Sequence, residues 1–311
     1  MAFQYHDKKT LPQPKPQTNG AYYLKPNDPL IAALDVALHL GMPLLLTGAP
    51  GTGKTRFAAH VAEQFDLGKP LEFFAKTTAT ATDLFYHYDA LRHFHISRDP
   101  DEKIEKDLVK AGIIQFKALG EAIRIANEEE RRSVVLIDEI DKAPRDFPND
   151  LLNELDGDFS FSVPELNNKR YSADSKFKPI VIITSNSEKN LPEPFLRRCV
   201  FYHIPFPEDE ETLLNIVKQQ LTDKGKFTNS DIQLLIAEFL TIRGIANLHG
   251  SKMPATAEFI SWVSLLQDLN FDVKDLGQTD STTLRASYVV LAKDDGFRKE
   301  LINRRTQANK G

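Results

Sequence analysis

The chain has 311 residues, of which 41% are hydrophobic and 27% charged, and its formal net charge is −5 at pH 7. This length suits one or two domains with a buried core, and the composition is ordinary for a soluble protein. Because the balance is acidic and no apolar run approaches the ~20 residues that span a bilayer, we expect neither a membrane nor nucleic acid as a partner.

The chain has a single cysteine, Cys199, and this count indicates the cellular compartment. One cysteine cannot form an intrachain disulfide, which fits the reducing cytosol, so we expect a cytoplasmic protein. Cys199 stands at the start of a strand-like run over residues 198–202, and we interpret it as a buried structural thiol rather than a nucleophile. Residues 1–21 are polar and rich in proline, without the apolar core of a signal peptide, and predict a flexible N-terminal arm.

A glycine-rich loop follows the first predicted strand. Residues 29–40 predict an amphipathic helix, and the apolar run 43–47 predicts a strand buried on both faces. The loop GAPGTGKT, residues 48–55, then leads into a helical pattern, as a phosphate-binding loop does. Its glycines allow positive φ angles and a close backbone approach to a polyphosphate. A chance glycine-rich loop is the alternative, and the flanking strand and helix disfavour it.

Two side chains of this loop carry the chemistry. The ammonium of Lys54 would reach the β- and γ-phosphates of a nucleotide, and the hydroxyl of Thr55 would bind Mg²⁺. Lys54 is therefore a candidate for catalysis as well as for binding. The candidate nucleotide-binding residues are Gly48, Ala49, Pro50, Gly51, Thr52, Gly53, Lys54, Thr55 and Arg56.

Residues 71–75 predict a second strand, and the segment after it is rich in aromatic residues. Residues 86–94 interleave aromatic side chains with histidines and Arg92. This pattern fits an interface between the core and an insert, or a contact with a polypeptide or nucleic acid. The eight histidines of the chain form no metal-binding pattern. Residues 101–130 are charged and predict a helix.

Two acids end the next apolar strand, over residues 134–137. A buried carboxylate at a strand end is costly unless a cation or hydrogen bonds compensate it. We interpret Asp138 as the acid on the Mg²⁺ side, acting through water, and Glu139 as the general base that polarises the attacking water. A strand that simply ends in solvated acids is the alternative, and the phosphate loop upstream disfavours it.

A third apolar run, residues 178–185, ends at Asn186. An amide at that strand end can hydrogen-bond the γ-phosphate or the attacking water, so Asn186 is a catalytic candidate. A turn or cap role is the alternative. Residues 159–164 and 169–173 flank two asparagines and predict a hairpin inserted before this strand.

The order of these motifs resembles that of AAA+ ATPases. A phosphate loop comes first, then an Asp-Glu pair at one strand end, and then an Asn at the next strand end. Residues 77–94, 138–152 and 184–199 look like bacterial MoxR-type AAA+ ATPases, and the resemblance runs from about residue 22 to 270. It implies an α/β fold: a P-loop AAA+ core with a parallel sheet flanked by helices, and a small C-terminal α-helical lid. It also implies Mg²⁺-dependent ATP hydrolysis.

The resemblance implies an arginine finger that each subunit presents to its neighbour's γ-phosphate, at Arg198. Arg197 and Arg198 end a predicted helix just before a strand, where a guanidinium could neutralise transition-state charge, an effect of about 10³–10⁵ in rate in GTPases. Cations that complement a helix C-terminus are the alternative. Arg197 is the second candidate for the finger and Arg145 the third. The family's lid arginine has no match, because Ala255 stands at its position; Lys252 could substitute.

The character of the chain changes near Pro207, after which the pattern is helical. Helices are predicted over residues 208–221, 230–242, 255–269 and 281–292, with Ser230 or Asp231 and Thr256 as N-caps. We interpret residues 1–21 as the arm, 22–206 as the AAA+ core, 207–303 as the helical lid and 304–311 as a polar tail.

Two functions are compatible with these residues. The first is a MoxR-type ATPase that forms a homo-oligomeric, hexameric ring and remodels or matures a protein client, with a separately encoded von Willebrand A domain protein as a partner that the resemblance implies. The second is a slowly hydrolysing, ATP-gated scaffold in a larger defence or signalling assembly. A nucleic-acid motor is disfavoured by the acidic charge. A metabolic kinase would not explain Glu139, Asn186 and Arg198 together.

Overall fold

The computed structural model describes residues 22–98, 108–155, 159–187, 191–221, 226–277 and 281–307. The chain divides into two compact units. The α/β unit contains residues 26–48 and 54–204. The helical unit contains the described residues of 1–25, 49–53 and 205–311.

The described part of the α/β unit contains both strands and helices. The strands are β1 (Leu44–Thr47), β2 (Leu71–Phe74), β3 (Tyr86–Tyr88), β4 (Ile114–Phe116), β5 (Val134–Asp138), β6 (Ser160–Val163), β7 (Lys169–Ser172), β8 (Ile180–Ser185) and β9 (Val200–His203). The helices of this unit are α1 (Pro29–Leu40), α2 (Lys54–Gln64), α3 (Ala90–Arg98), α4 (Ala118–Glu128), α5 (Phe147–Leu155) and α6 (Glu193–Leu196). The helical unit contains α7 (Glu210–Gln220), α8 (Asn229–His249), α9 (Thr256–Asp268), α10 (Thr282–Ser287) and α11 (Asp295–Gln307).

A parallel five-stranded sheet of order β2-β5-β8-β1-β9 forms the centre of the α/β unit. Every residue of β1, β5 and β8 is buried, as expected for parallel strands covered on both faces. Thr47 is paired with Ser185, and Ile137 with Ile183, so the carboxyl ends of the three strands meet at one edge. The predicted fold class is confirmed, and this edge is where loops of α/β proteins bind ligands.

The predicted hairpin is confirmed, but the helix predicted over residues 101–130 is partly wrong. β6 and β7 pair antiparallel, and Phe161 stacks on Tyr171 with ring centroids 5.4 Å apart. Residues 114–116 form β4, which pairs antiparallel with β3, and α4 begins only at Ala118. Pairing with a strand distant in sequence overrides the local charge pattern here. Residues 101–107 lie outside the described residues.

The helical unit has its own core around Trp262. Phe239 and Phe259 stack at 4.3 Å between centroids, and the indole N–H of Trp262 donates to Ser287 Oγ at 2.7 Å. Burial of an indole requires such a partner for its N–H. Among the described residues, none of the helices combines the length and the apolar character that crossing a membrane requires.

Four predicted boundaries of this unit need correction. Thr228 caps α8 in place of Ser230 or Asp231, because Asp231 at the third helical position accepts from the Thr228 N–H at 2.8 Å and completes a capping box. Ala255, rather than Thr256, is the N-cap of α9. The helix predicted over 281–292 ends at Ser287, and α11 continues through residues 304–307, which the sequence assigned to the tail.

Gly120 of α4 packs directly against the backbone of Phe85. A Cβ atom at this position would lie 1.9 Å from the carbonyl oxygen of Phe85. Gly244 in α8 is the matched helical position, because a Cβ atom there would meet nothing within 4 Å.

We therefore expect Gly120→Ala to lower the free energy of unfolding by about 1–3 kcal/mol or more, since backbone must move to admit the methyl group. Gly244→Ala should raise it by about 0.5–1 kcal/mol through helix propensity. Urea denaturation followed by circular dichroism measures both. Equal stability of the Gly120→Ala variant and the wild type would contradict the packing described here.

Candidate functional site

The loop after β1 adopts a conformation that requires its glycines. Gly48, Gly51 and Gly53 have φ angles of 144°, 82° and 95°, in the region that side chains other than hydrogen disfavour. Within the loop, Thr52 donates its hydroxyl to Ala49 O at 2.9 Å. Gly48 belongs to the α/β unit, as does Lys54, whereas residues 49–53 group with the helical unit.

Lys54, the first residue of α2, has a buried ammonium, with 7% of the residue exposed. Its Nζ donates to Gly48 O at 2.8 Å and to Asn186 Oδ1 at 3.0 Å. Burial lowers the pKa of Lys54, and neighbouring carboxylates oppose that shift. The opposing charges, from largest effect to smallest, are Asp138, Asp141 and Glu139. The loop is thus tied to the ends of two strands through one cation.

Asp138, the last residue of β5, is a buried carboxylate held by two hydroxyl groups. Thr55 donates to its Oδ1 at 3.0 Å, and Thr184 of β8 donates to the same oxygen at 2.5 Å. Hydrogen bonds of this kind offset the cost of removing a carboxylate from water. Thr184 also accepts the backbone N–H of Glu139 at 3.0 Å, so one hydroxyl orders both acids.

Glu139 has the left-handed backbone conformation, with φ 56° and ψ 48°. A residue with a side chain adopts this conformation at a cost of about 1–3 kcal/mol, and such positions cluster at functional sites. Its Oε1 accepts from Asn186 Nδ2 at 3.3 Å, and its Oε2 forms an ion pair with Lys142. The carboxylate therefore faces the end of β8 rather than standing free in solvent.

Asp141 fixes the end of β8, a role that the sequence did not reveal. Its Oδ1 accepts from the backbone N–H of Asn186 and from Ser185 Oγ, both at 3.1 Å. Asn186 is held at its backbone by Asp141 and at its side chain by Lys54 and Glu139. One sequence signal could have indicated this role. The otherwise apolar strand β8 ends in two hydroxyl residues, Thr184 and Ser185, and the amide of Asn186 follows.

The structure brings together five of the predicted site residues at one edge of the sheet. They are Lys54, Thr55, Asp138, Glu139 and Asn186. Arg56, in the first turn of α2, is half-buried, and burial lowers its pKa.

Arg198 lies at the opposite edge of the sheet. It is exposed, two residues before Val200, which pairs with Leu44 at the start of β1. The phosphate loop follows the other end of β1, about 13 Å away at the ~3.3 Å rise of a strand residue. Arg197 is exposed and forms an ion pair with Glu193 one turn earlier in α6.

The remaining candidates lie on other elements of the chain. Arg145 is exposed before α5. Ala255 at the start of α9 is buried, and the nearby Lys252 is exposed. Burial raises the pKa of the Cys199 thiol to about 12, which keeps it protonated, as expected of a structural thiol rather than a nucleophile. Within the described residues, no group of three or more histidine, cysteine or acidic side chains could hold a metal ion by itself.

Comparison with known proteins gives one family match. The AAA domain (dynein-related subfamily) matches residues 43–199. Among solved structures, the FIGL-1 AAA domain in complex with ADP has a TM-score of 0.44 and 18% identity, covering 92% of this chain and 88% of that chain. A mutant form of RuvB from Thermotoga maritima has a TM-score of 0.40 and 15% identity, covering 79% of this chain and 70% of that chain. No curated protein matches the chain.

The family match spans just over half of the chain and includes the glycine loop, the acids Asp138 and Glu139 at the end of β5, and the end of β8. Nucleotide binding is a property of this family. The chain therefore belongs to the AAA domain family, dynein-related subfamily, and is an AAA+ ATPase.

Proposed function

We propose that this chain is a MoxR-type AAA+ ATPase that binds ATP with Mg²⁺ at the cluster around Lys54 and works as a homo-oligomeric ring. The observation that carries the proposal is the connected network in which Asn186 joins the buried ammonium of Lys54 to the carboxylate of Glu139. A phosphate-binding cation, a water-activating acid and an amide between them are the groups that phosphoryl transfer to water needs.

The residues at the carboxyl edge of the sheet fit a magnesium nucleotide. Mg²⁺ prefers oxygen ligands and keeps several waters. The hydroxyl of Thr55 lies 3.0 Å from the Asp138 carboxylate, so both can share one ion, with Thr55 as direct ligand and Asp138 acting through water. When bound, Mg²⁺ supplies positive charge that stabilises the transferring phosphoryl group.

In this proposal the loop and Lys54 bind the β- and γ-phosphates, with the loop turned by its three positive-φ glycines. Asn186 directs its amide to the γ-phosphate or to the attacking water. Glu139 takes a proton from that water as general base. Thr184 holds the strained backbone of Glu139 by accepting its N–H, and this contact sets the direction from which the carboxylate approaches the attacking water.

Arg198 acts in trans in this proposal. The guanidinium starts at the edge of the sheet opposite to its own phosphate loop, so its reach favours the site of a second copy of the chain. Contacts that repeat head to tail around an axis generate a closed ring. We propose a hexamer, from the resemblance to MoxR-type ATPases. Arg197, which forms an exposed ion pair with Glu193, is the second candidate for the finger.

We propose a protein client, remodelled or matured by the ring, with a separately encoded von Willebrand A domain protein as a partner. The three sequence segments that resemble MoxR-type ATPases support this assignment. The second candidate is the slowly hydrolysing, ATP-gated scaffold. Ala255 favours it, because the lid position where many AAA+ ATPases carry an arginine has no cation here.

One prediction of the proposed function concerns the general base, Glu139. Glu139→Gln should bind ATP with the affinity of the wild type but lose turnover by about 10²–10⁴-fold, since the amide cannot accept the proton. Phosphate release and equilibrium binding of a fluorescent ATP analogue measure the two properties. The matched control is Glu63→Gln, an exposed glutamate of α2, which should keep full turnover. Unchanged turnover in Glu139→Gln would rule out Glu139 as the base.

The second prediction concerns the shared site. Glu139→Gln and Arg198→Ala should each be almost inactive alone, whereas an equal mixture should recover turnover at about a quarter of its sites, those with an intact base and an intact neighbouring finger. Phosphate release is measured after subunit exchange has been verified. Arg197→Ala serves as the control and should retain activity.

A mixture that stays inactive while the wild type turns over would show that Arg198 is not supplied in trans. An inactive wild type that still binds ATP would favour the gated scaffold over the remodelling ATPase.

A further inference from the structure

Lys142 contacts the carboxylate that the proposed mechanism uses as its base. Its Nζ pairs with Glu139 Oε2, while Asn186 donates to the other oxygen of the same carboxylate at 3.3 Å. The ion pair raises the pKa of Lys142, with the hydrogen bond to Glu139 as the largest cause. Both oxygens of Glu139 therefore have a partner within the chain.

The pair is built into the local backbone. Glu139 is the N-cap of a 3-10 turn that runs Ile140–Lys142, and the N–H of Lys142 donates to Glu139 O at 2.9 Å. The left-handed conformation of Glu139 and this turn place the two side chains on the same side, three residues apart. Asp141, the acid between them, is engaged with the end of β8.

The ion pair between Lys142 and Glu139 is also exposed enough to open. The Lys142 side chain is 54% exposed and that of Glu139 is 38% exposed. Ion pairs with this exposure are weak, because water competes for both partners. An ammonium on Oε2 and an amide on Oε1 fix the direction of the carboxylate, so turning it towards an attacking water requires the contact with Lys142 to open.

We propose that Lys142 is a positioning residue that holds Glu139 in a resting orientation and must release it before the attacking water is activated. This inference rests on the proposed function, in which Glu139 is the general base. Lys142 thereby limits turnover without nucleotide binding being affected.

The activity test compares two substitutions at one position. Lys142→Gln removes the ion pair and should raise kcat by up to about fivefold, the range set by the strength of an exposed pair, with KM unchanged. Lys142→Arg keeps a cation and should return kcat to that of the wild type. A fall in kcat for Lys142→Gln that Lys142→Arg rescues would overturn the proposal, because Lys142 would then assist the reaction.

A nucleotide-free test measures the pair itself. Amine acylation followed by mass spectrometry reports the reactivity of single lysines, and a paired ammonium reacts slowly. Lys142 should react severalfold faster in Glu139→Gln than in the wild type. Lys299, which pairs with Asp295 at 2.7 Å in α11, is the matched control and should not change.

The two tests separate the inference from the function on which it rests. Unchanged acylation of Lys142 in Glu139→Gln would overturn the resting pair whatever the activity of the enzyme. Faster acylation together with full ATP turnover in Glu139→Gln would leave the pair in place but remove the base, and with it the proposed role of Lys142. Faster acylation, lost turnover in Glu139→Gln and raised kcat in Lys142→Gln support both.

Discussion

A buried ammonium must be surrounded by acceptors and negative charge, and in this chain that requirement organises the site. Lys54 lies at the start of α2, where burial works against its charge. Its acceptors come from the loop at Gly48 and from the end of β8 at Asn186, and the compensating carboxylates follow β5. The ammonium of Lys54 thus joins the loop to the carboxyl ends of two other strands. A bound polyphosphate would lie close to the same positive charge.

The parallel sheet makes this arrangement possible, because its register ends β1, β5 and β8 at a common edge. Small polar groups then order the acids. The hydroxyl of Thr184 joins Asp138 to the backbone of Glu139, and Asp141 holds the backbone of Asn186. The strained backbone of Glu139 is tolerated because Thr184 holds its N–H and Asn186 holds its carboxylate. Function in this account depends on hydrogen bonds between strand ends.

The sequence predicted the loop, the buried strands and the residues that end them, because these depend on local patterns of glycine, apolar runs and terminal acids. It did not predict the bonds of Thr184 to Asp138 and of Ser185 to Asp141, which depend on strand order and register and so on residues far apart in the chain. The pair of Lys142 with Glu139 is local, but it depends on the left-handed backbone of Glu139, which the residue type does not reveal. The strand at residues 114–116 was missed for the same reason, since its partner β3 lies more than twenty residues earlier. The predicted N-caps of α8 and α9 were wrong by one to three residues, because residue type alone does not show which residue begins a helix.

The central claim is that the cluster around Lys54 binds a magnesium nucleotide, and calorimetric titration with ATP, with and without Mg²⁺, tests it most directly. The account predicts that Mg²⁺ strengthens ATP binding to the wild type and that Asp138→Asn loses this gain. Lys54→Met should weaken binding by at least about tenfold, because a hydrogen bond to a charged group contributes about 1.5–3 kcal/mol. Lys274→Met, at an exposed lysine of the helical unit, is the control. Equal ATP affinity in Lys54→Met and the wild type would contradict the account.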